Sequence, residues 1–188
     1  MYGWQFKPHA KVHPPLATMP HESRLTRELR SLLHAQRVAA LGTVGDDGTP
    51  LVSMVPFALE PGDACLVLHV SSLAAHTRNL QTRAAVSLLV MQPEVASEPV
   101  HALPRVTLQG QAEVPQRDSP TWQACRKAYL ARFPEGEPMT KLGDFMFVAL
   151  HLTGARQVAG FGAARSVDAD ELRQVLISLG PGPFIGTD

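Results

Sequence analysis

The spacing of hydrophobic residues changes several times along the chain, and each change predicts a different secondary structure. Near the start, leucines recur at helical spacing, which predicts a helix whose apolar face carries Leu25, Leu29, Leu32 and Leu33. From residue 106 to residue 114 every second residue is apolar or glycine, a pattern typical of a half-buried antiparallel strand. Residues 1–20 contain four prolines and no periodicity, so we expect an extended N-terminal arm before a single domain over residues 21–188.

Short strands linked by hairpins account for most of the other apolar residues. Asp47-Gly48 separates two apolar runs and favours a hairpin turn, because Asp-Gly tolerates positive φ. Strands are predicted over residues 37–44, 51–59, 65–70, 84–91, 106–114, 145–152 and 155–161, the last two joined by a hairpin across Thr153-Gly154. Strand and helix do not alternate regularly, which disfavours a parallel sheet. We therefore predict a mainly β fold with helices (α+β), in which six or seven antiparallel strands form a barrel with peripheral helices.

Three further helices are predicted from capping residues and apolar spacing. Ser71-Ser72 offers an N-cap for a short helix over residues 73–81. Ser119-Pro120 predicts an N-cap followed by proline at the first helical position, with Trp122, Cys125 and Tyr129 on the buried face. A last helix is expected to place Leu172, Val175, Leu176 and Leu179 on one side and to end at Gly180-Pro181.

Charge and cysteine content narrow the possible functions. Seventeen basic and seventeen acidic residues give zero formal net charge, which disfavours a general nucleic-acid binder and a polybasic membrane protein. No apolar run reaches the ~20 residues that a membrane span needs, and the N-terminus lacks the apolar core of a signal peptide. Cys65 and Cys125 form no CxxC motif, so neither a disulfide framework nor a thiolate zinc site is expected. These features favour a reduced, cytoplasmic protein.

One junction between a predicted strand and a predicted helix could hold a phosphate. The chain contains no Walker A, G-x-S-x-G or H-E-x-x-H motif, and Arg165 spoils the dinucleotide pattern that begins at Gly160. His69 and His76 have no nearby carboxylate or thiolate along the chain, so a metal site there is not expected. At Ser71-Ser72, two hydroxyls and the first amides of a helix would face the same point, which is an arrangement that can bind an anion. Most serine-capped helices bind no ligand, so this observation alone does not establish a phosphate site.

Four stretches of sequence, taken in order, resemble the pyridoxamine 5'-phosphate oxidase-like flavoproteins, and most closely their haem-utilisation or HugZ-like branch. They are Asp47-Gly48-x-Pro50-x-x-Ser53; Ser71-Ser72-Leu73-Ala74-x-His76-Thr77-x-Asn79-Leu80; Pro104-Arg105-Val106-x-Leu108-x-Gly110; and Gly143-Asp144-Phe145 followed by Val158-Ala159-Gly160-Phe161-Gly162. The resemblance covers most of residues 22–165 and implies the FMN-binding split-barrel fold. It also implies a homodimer, because the flavin of this family lies between two barrels.

The resemblance assigns cofactor contacts to particular positions of this chain. The strand near residue 53 would face the isoalloxazine ring, while the end of the next strand and the following helix would approach the ribityl chain and phosphate. Arg105 opens a later strand, and an arginine fork is a strong partner for a phosphate dianion. The predicted FMN-binding residues are Ser53, Met54, Val55, Pro56, Val67, Leu68, Ser71, Ser72, His76, Arg78, Asn79 and Arg105.

The chain also departs from this family's pattern, and the departures shape the functional hypotheses. Leu73-Ala74 stand where pyridoxamine phosphate oxidases proper have an Arg-Lys pair, so we expect Arg105 to bind the FMN phosphate together with Ser71-Ser72. Residues 180–188 lack the histidine that the tail of haem-degrading relatives carries. The first hypothesis is an FMN-dependent oxidoreductase of unknown substrate. The alternatives are a haem- or flavin-binding protein without turnover and a non-catalytic interaction module.

Overall fold

A single antiparallel sheet curls into an open barrel in the computed structural model, which describes residues 22–179. Its eight strands are β1 (Val38–Val44), β2 (Pro50–Pro56), β3 (Ala58–Glu60), β4 (Cys65–Ser71), β5 (Ala85–Met91), β6 (Arg105–Glu113), β7 (Phe145–Val158) and β8 (Ala164–Asp168). Their order across the sheet is β2-β1-β5-β6-β7-β4-β3, and β8 also pairs with β7. No ladder joins β2 to β4 in the described sheet, and the barrel is split there. The predicted antiparallel split barrel is confirmed, with eight strands instead of six or seven.

Two strand boundaries differ from the sequence-based prediction. The run over residues 51–59 is divided at Phe57: β2 pairs with β1, whereas β3 pairs with β4. The hairpin predicted at Thr153-Gly154 is wrong, because β7 continues through Gly154, with Thr153 as the extra residue of a bulge opposite Gln109 and Gly110 of β6. The turn lies instead between β7 and β8, where Gly160 and Gly162 adopt φ of 144° and 73°. These positive φ values, which glycine adopts without steric cost, make the chain reverse at that point.

Four α-helices within residues 22–179 surround the barrel: α1 (Arg24–Ala35), α2 (Ala75–Thr82), α3 (Pro120–Arg132) and α4 (Ala169–Ser178). The predicted cap of α3 is confirmed, since the Ser119 hydroxyl accepts a hydrogen bond from the Trp122 amide at 3.2 Å. The predicted Ser71-Ser72 cap of α2 is wrong: the N-cap is Ala74, which has no side-chain cap. Ser71 is the last residue of β4, and its hydroxyl accepts from the Leu73 amide, so it shapes the turn before the helix.

Two apolar clusters hold these layers together. The larger one fills the barrel and includes Leu29, Leu32 and Leu33 of α1 with Leu172, Val175 and Leu176 of α4, as the leucine spacing predicts. The smaller one lies under α3 and joins Trp122, Cys125, Tyr129 and Phe133 to Ala58, Cys65, Val67, Phe147 and Ala149. The predicted N-terminal arm and the end of the last helix at Gly180-Pro181 lie outside the described residues.

Candidate functional site

Most of the predicted cofactor residues border the split of the barrel. Residues 53–56 lie on β2, residues 67, 68 and 71 on β4, and residues 76, 78 and 79 on α2. Helix α2 contacts β1 and β2, and β2 contacts β4 across the split. A hydrogen bond of 3.1 Å from Asn79 Nδ2 to Thr43 Oγ1 fixes α2 to β1. The fold therefore brings together eleven of the twelve predicted positions, the exception being Arg105.

Their side chains are not equally placed for contact with a ligand. Met54 is 69% exposed, whereas Val55 is buried in the barrel. Val67 and Leu68 are fully buried, so their side chains cannot touch a bound molecule. The backbone of Val67 is also paired with β3 on one side and β7 on the other. Of the β4 positions, Ser71 at the strand end is the most accessible.

The polar groups at the β4–α2 turn already bind one another. The Thr77 hydroxyl donates to the Ser71 carbonyl at 2.7 Å, and the Ser72 amide donates to the Asp144 carbonyl at 2.7 Å. Arg78, the nearest cation along the chain, donates from Nη1 to the Leu73 carbonyl at 3.0 Å. Burial lowers the pKa of His76, so this imidazole is neutral at neutral pH. Arg78 is therefore the cation of this turn, and its guanidinium has N–H donors beyond the one that binds Leu73.

Arg105 lies at the opposite end of the barrel from this turn. Helix α2 contacts the Thr43 end of β1, which lies beside the start of β5, whereas Arg105 pairs with Met91 at the end of β5. The six residue steps from Ala85 to Met91 along β5 correspond to about 20 Å. The Arg105 guanidinium donates instead to the carbonyls of Leu103 at 3.0 Å and His101 at 3.4 Å. Arg105 and Ser71 could therefore share one phosphate only if two copies of the chain met.

An exposed apolar surface covers the outside of β1, β2 and β5, and we call it the apolar sheet face. It consists of Val38, Ala40, Val52, Met54, Leu89 and Met91. Val52 and Met54 are 70% and 69% exposed, and Val38 and Met91 are 47% and 42% exposed. Cross-strand pairing aligns Met54, Ala40 and Leu89 in one row. Contiguous apolar surface of this kind usually marks a binding or interaction site.

Two groups border this face at the β6 end. Arg105 is the cross-strand neighbour of Met91, and it also pairs with Val158 beside the β7–β8 turn. That turn carries Phe161, which is 87% exposed. The sequence analysis missed this surface, although the sequence of β1 contains a clue to it. Val38, Leu41 and Val44 do not alternate with polar residues, so both faces of the strand are apolar.

Residues 22–179 contain neither a cluster of metal ligands nor a membrane-spanning helix. No three His, Cys, Asp or Glu side chains gather there in a way that could hold a metal ion. None of the helices in that part of the chain combines the length and the hydropathy needed to cross a bilayer.

Comparison with known proteins identifies relatives with the same fold. The sequence profile of the family described as Pyridoxamine 5'-phosphate oxidase matches residues 25–159. A Vibrio cholerae protein named Heme oxygenase HutZ is 31% identical over 152 residues, which are 80% of this chain and 85% of that protein.

Solved structures agree with this result. A heme binding protein from Mycobacterium smegmatis superposes with a TM-score of 0.72 at 30% identity, covering 81% of this chain. The present chain spans 61% of the length of that mycobacterial protein. The crystal structure of HutZ, described as the heme storage protein from Vibrio cholerae, superposes with a TM-score of 0.65 at 28% identity over 71% of this chain and 94% of that one.

Proposed function

Since this chain belongs to the pyridoxamine 5'-phosphate oxidase family, in its HutZ- and HugZ-like branch, we propose that it binds haem as a homodimer. The named relatives support haem over flavin, because their descriptions refer to heme binding, storage or oxygenation. The proposal concerns binding of haem and does not include its breakdown.

The apolar sheet face with Arg105 at its border is the observation that carries this proposal. Haem combines a flat apolar macrocycle with two propionate carboxylates. Val52, Met54 and Leu89 offer an apolar strand surface, and Gly42 between Val52 and Ser87 keeps that surface flat. Arg105 bonds two carbonyls through one nitrogen, and a guanidinium has five N–H donors in all, so it can also bind a carboxylate.

Side chains that can ligate iron lie on and beside this face. Met54 and Met91 are part of it, and His101 precedes Arg105 at its border. Thioether and imidazole groups are both known axial ligands of haem iron. Bound at this face, haem would supply an iron centre that Met54, Met91 or His101 could ligate.

The homodimer predicted from the sequence is proposed here on the same surface. A chain with Val52 and Met54 more than two-thirds exposed gains free energy when a second copy covers them, at ~25 cal/mol per Å² of apolar area. A two-fold contact would also place two apolar sheet faces opposite each other, so that both faces of a bound haem would contact apolar side chains. Sedimentation of the haem-free and haem-loaded protein at micromolar concentration tests this assembly, and a monomer in both states contradicts it.

The proposed function is tested by titrating the purified protein with haem and following the Soret band. Met54→Lys places a charge on the apolar sheet face and removes an apolar contact. It is expected to weaken haem binding by about tenfold to a hundredfold. Ile177→Lys is the matched control, because Ile177 is 43% exposed on α4, away from this face. Arg105→Ala is expected to weaken haem binding by up to about tenfold.

Two outcomes would contradict the haem proposal. One is a wild-type protein whose Soret band does not change saturably with added haem. The other is equal weakening by Met54→Lys and Ile177→Lys, which would place the site elsewhere. Thermal unfolding of each haem-free variant separates loss of binding from loss of folding.

The second candidate is an FMN-dependent oxidoreductase, favoured by the convergence of β2, the end of β4 and α2 at the barrel split. In this case Arg105 of a second copy of the chain would bind the FMN phosphate at the β4–α2 turn of the first. Flavin absorption in the purified protein and quenching of FMN fluorescence test this candidate. Arg105→Ala is then expected to weaken FMN binding by about tenfold to a hundredfold and riboflavin binding hardly at all.

The cytoplasmic location stays a prediction.

A further inference from the structure

The two cysteines of the chain, 60 positions apart in sequence, lie against each other in the fold. Cys65 is the first residue of β4, and Cys125 lies in the middle of the buried face of α3. They are 1% and 0% exposed, both are free thiols, and both belong to the cluster under α3. Helix α3 packs on β3 and β4, and this packing brings the two sulfurs close enough to affect each other's ionisation. The chain thus contains a preassembled pair of thiols at the contact between a helix and a strand.

We propose that Cys65 and Cys125 form a redox-active dithiol that peroxide converts into an intrachain disulfide. This site is independent of the proposed haem function. Nothing in the sequence pattern indicated it, because the two residues form no CxxC motif and lie in separate apolar runs.

The proximity of the two sulfurs gives the two thiols different chemical roles. Interaction with the Cys125 side chain, together with burial, raises the pKa of Cys65, whereas the same interaction lowers the pKa of Cys125. Glu60 is the last residue of β3 and Asp63 lies in the turn before β4, and their charges oppose ionisation of both thiols. The direction of these shifts favours Cys125 as the thiolate of the pair, and a thiolate is the form that reacts.

The reaction balances with hydrogen peroxide as the oxidant. The Cys125 thiolate attacks one oxygen of peroxide, the O–O bond breaks, and a sulfenic acid and hydroxide form. The Cys65 sulfur then attacks the sulfenic sulfur, and the S–S bond forms as that oxygen leaves. In total the two thiols lose two electrons and two protons, and peroxide becomes two molecules of water. Peroxide is small enough to reach a buried pair through local opening of α3.

The disulfide would lock α3 onto the barrel. It closes a loop of about 60 residues, which limits the freedom of the unfolded chain and is expected to raise the Tm by about 10 °C. The same helix carries Tyr129, which contacts the ring of His69 on β4. The redox state of the dithiol would therefore set how firmly α3 covers this side of the sheet.

To test the proposal, the folded full-length protein is treated with hydrogen peroxide and the peroxide is removed with catalase. The protein is then denatured in the presence of iodoacetamide, which alkylates free thiols. The expected product is a monomer lighter by two hydrogens, with neither cysteine alkylated, and dithiothreitol restores two alkylatable thiols. Oxidation of Met54, which is 69% exposed, reports in the same mass spectrum that the peroxide was effective. Cys65→Ser and Cys125→Ser are each expected to abolish this product and the rise in Tm.

Three results would overturn the proposal. In the first, both cysteines are still alkylated after Met54 has been oxidised. In the second, a disulfide forms only between two chains, which a non-reducing gel detects. In the third, a single-cysteine variant still gives the monomer lighter by two hydrogens. The first two results come from the wild-type protein, so they hold even if a serine variant folds poorly.

Discussion

Lowering the pH should destabilise this protein through His69, a buried imidazole in an aromatic cluster. The ring is 8% exposed, and its centroid lies 4.6 Å from that of Phe147, 5.1 Å from that of Phe145 and 5.4 Å from that of Tyr129. Burial lowers the pKa of His69 to about 4, from the usual 6.5. Tyr129 is neutral in this pH range, because burial raises the pKa of its hydroxyl.

The size of the effect follows from the difference between the two states. Below pH 6.5 the unfolded chain binds a proton at His69, whereas the folded chain stays neutral there until the pH approaches 4. The free energy of unfolding therefore falls by about 2 kcal/mol between pH 7 and pH 5, and by about 3 kcal/mol in total at lower pH. This loss is absent above the pKa that His69 has in the unfolded chain. It grows as the pH falls toward the lower pKa that His69 has in the folded chain.

Urea unfolding of the wild type and of His69→Gln at pH 7, 6 and 5 measures this contribution. Other groups titrate in both proteins, so they cancel when the two free energies are subtracted. We expect the stability of His69→Gln relative to wild type to improve by about 2 kcal/mol between pH 7 and pH 5, which is about 1 M in the urea midpoint. His101→Gln, at an exposed histidine, is the control and should change little. A constant difference between His69→Gln and wild type across this pH range would refute the reasoning.

Two substitutions test the packing that holds the barrel. Gly110→Ala would bring a Cβ to 2.7 Å from the His151 carbonyl oxygen at the bulge, so we expect a loss of about 2–3 kcal/mol in chemical unfolding. Gly143→Ala, where no atom lies within 4 Å, is the control, and equal stability of the two variants would be inconsistent with a tight bulge. Arg132→Gln removes a guanidinium that donates to the carbonyls of Leu33, His34 and Gln36 at the end of α1, and should cost about 2–3 kcal/mol. The exposed variant Arg173→Gln should cost far less, and a similar loss in both would show that Arg132 has no special role.

The local pattern of the sequence determined most of the secondary structure. The leucine spacing of α1, the serine cap of α3 and the alternation in β6 each involve neighbours within a few residues, where backbone sterics and hydrogen bonding act directly. The errors came from positions at which distant contacts prevailed. Gly154 remains within a strand because β6 and β8 pair with it on both sides, although Thr153-Gly154 is locally compatible with a turn.

Only the tertiary structure decided which predicted site residues meet. The motif residues of β2, β4 and α2 converge because the curled sheet brings β2 and β4 together across the split, whereas Arg105 lies about 20 Å away along β5 and β6. The same curling of the sheet left Val52 and Met54 uncovered and joined Cys65 to Cys125 under α3. Sequence spacing determines which face of a strand or helix a residue occupies. What covers that face depends on which strands pair and where the helices pack, and both result from contacts between residues far apart in the chain.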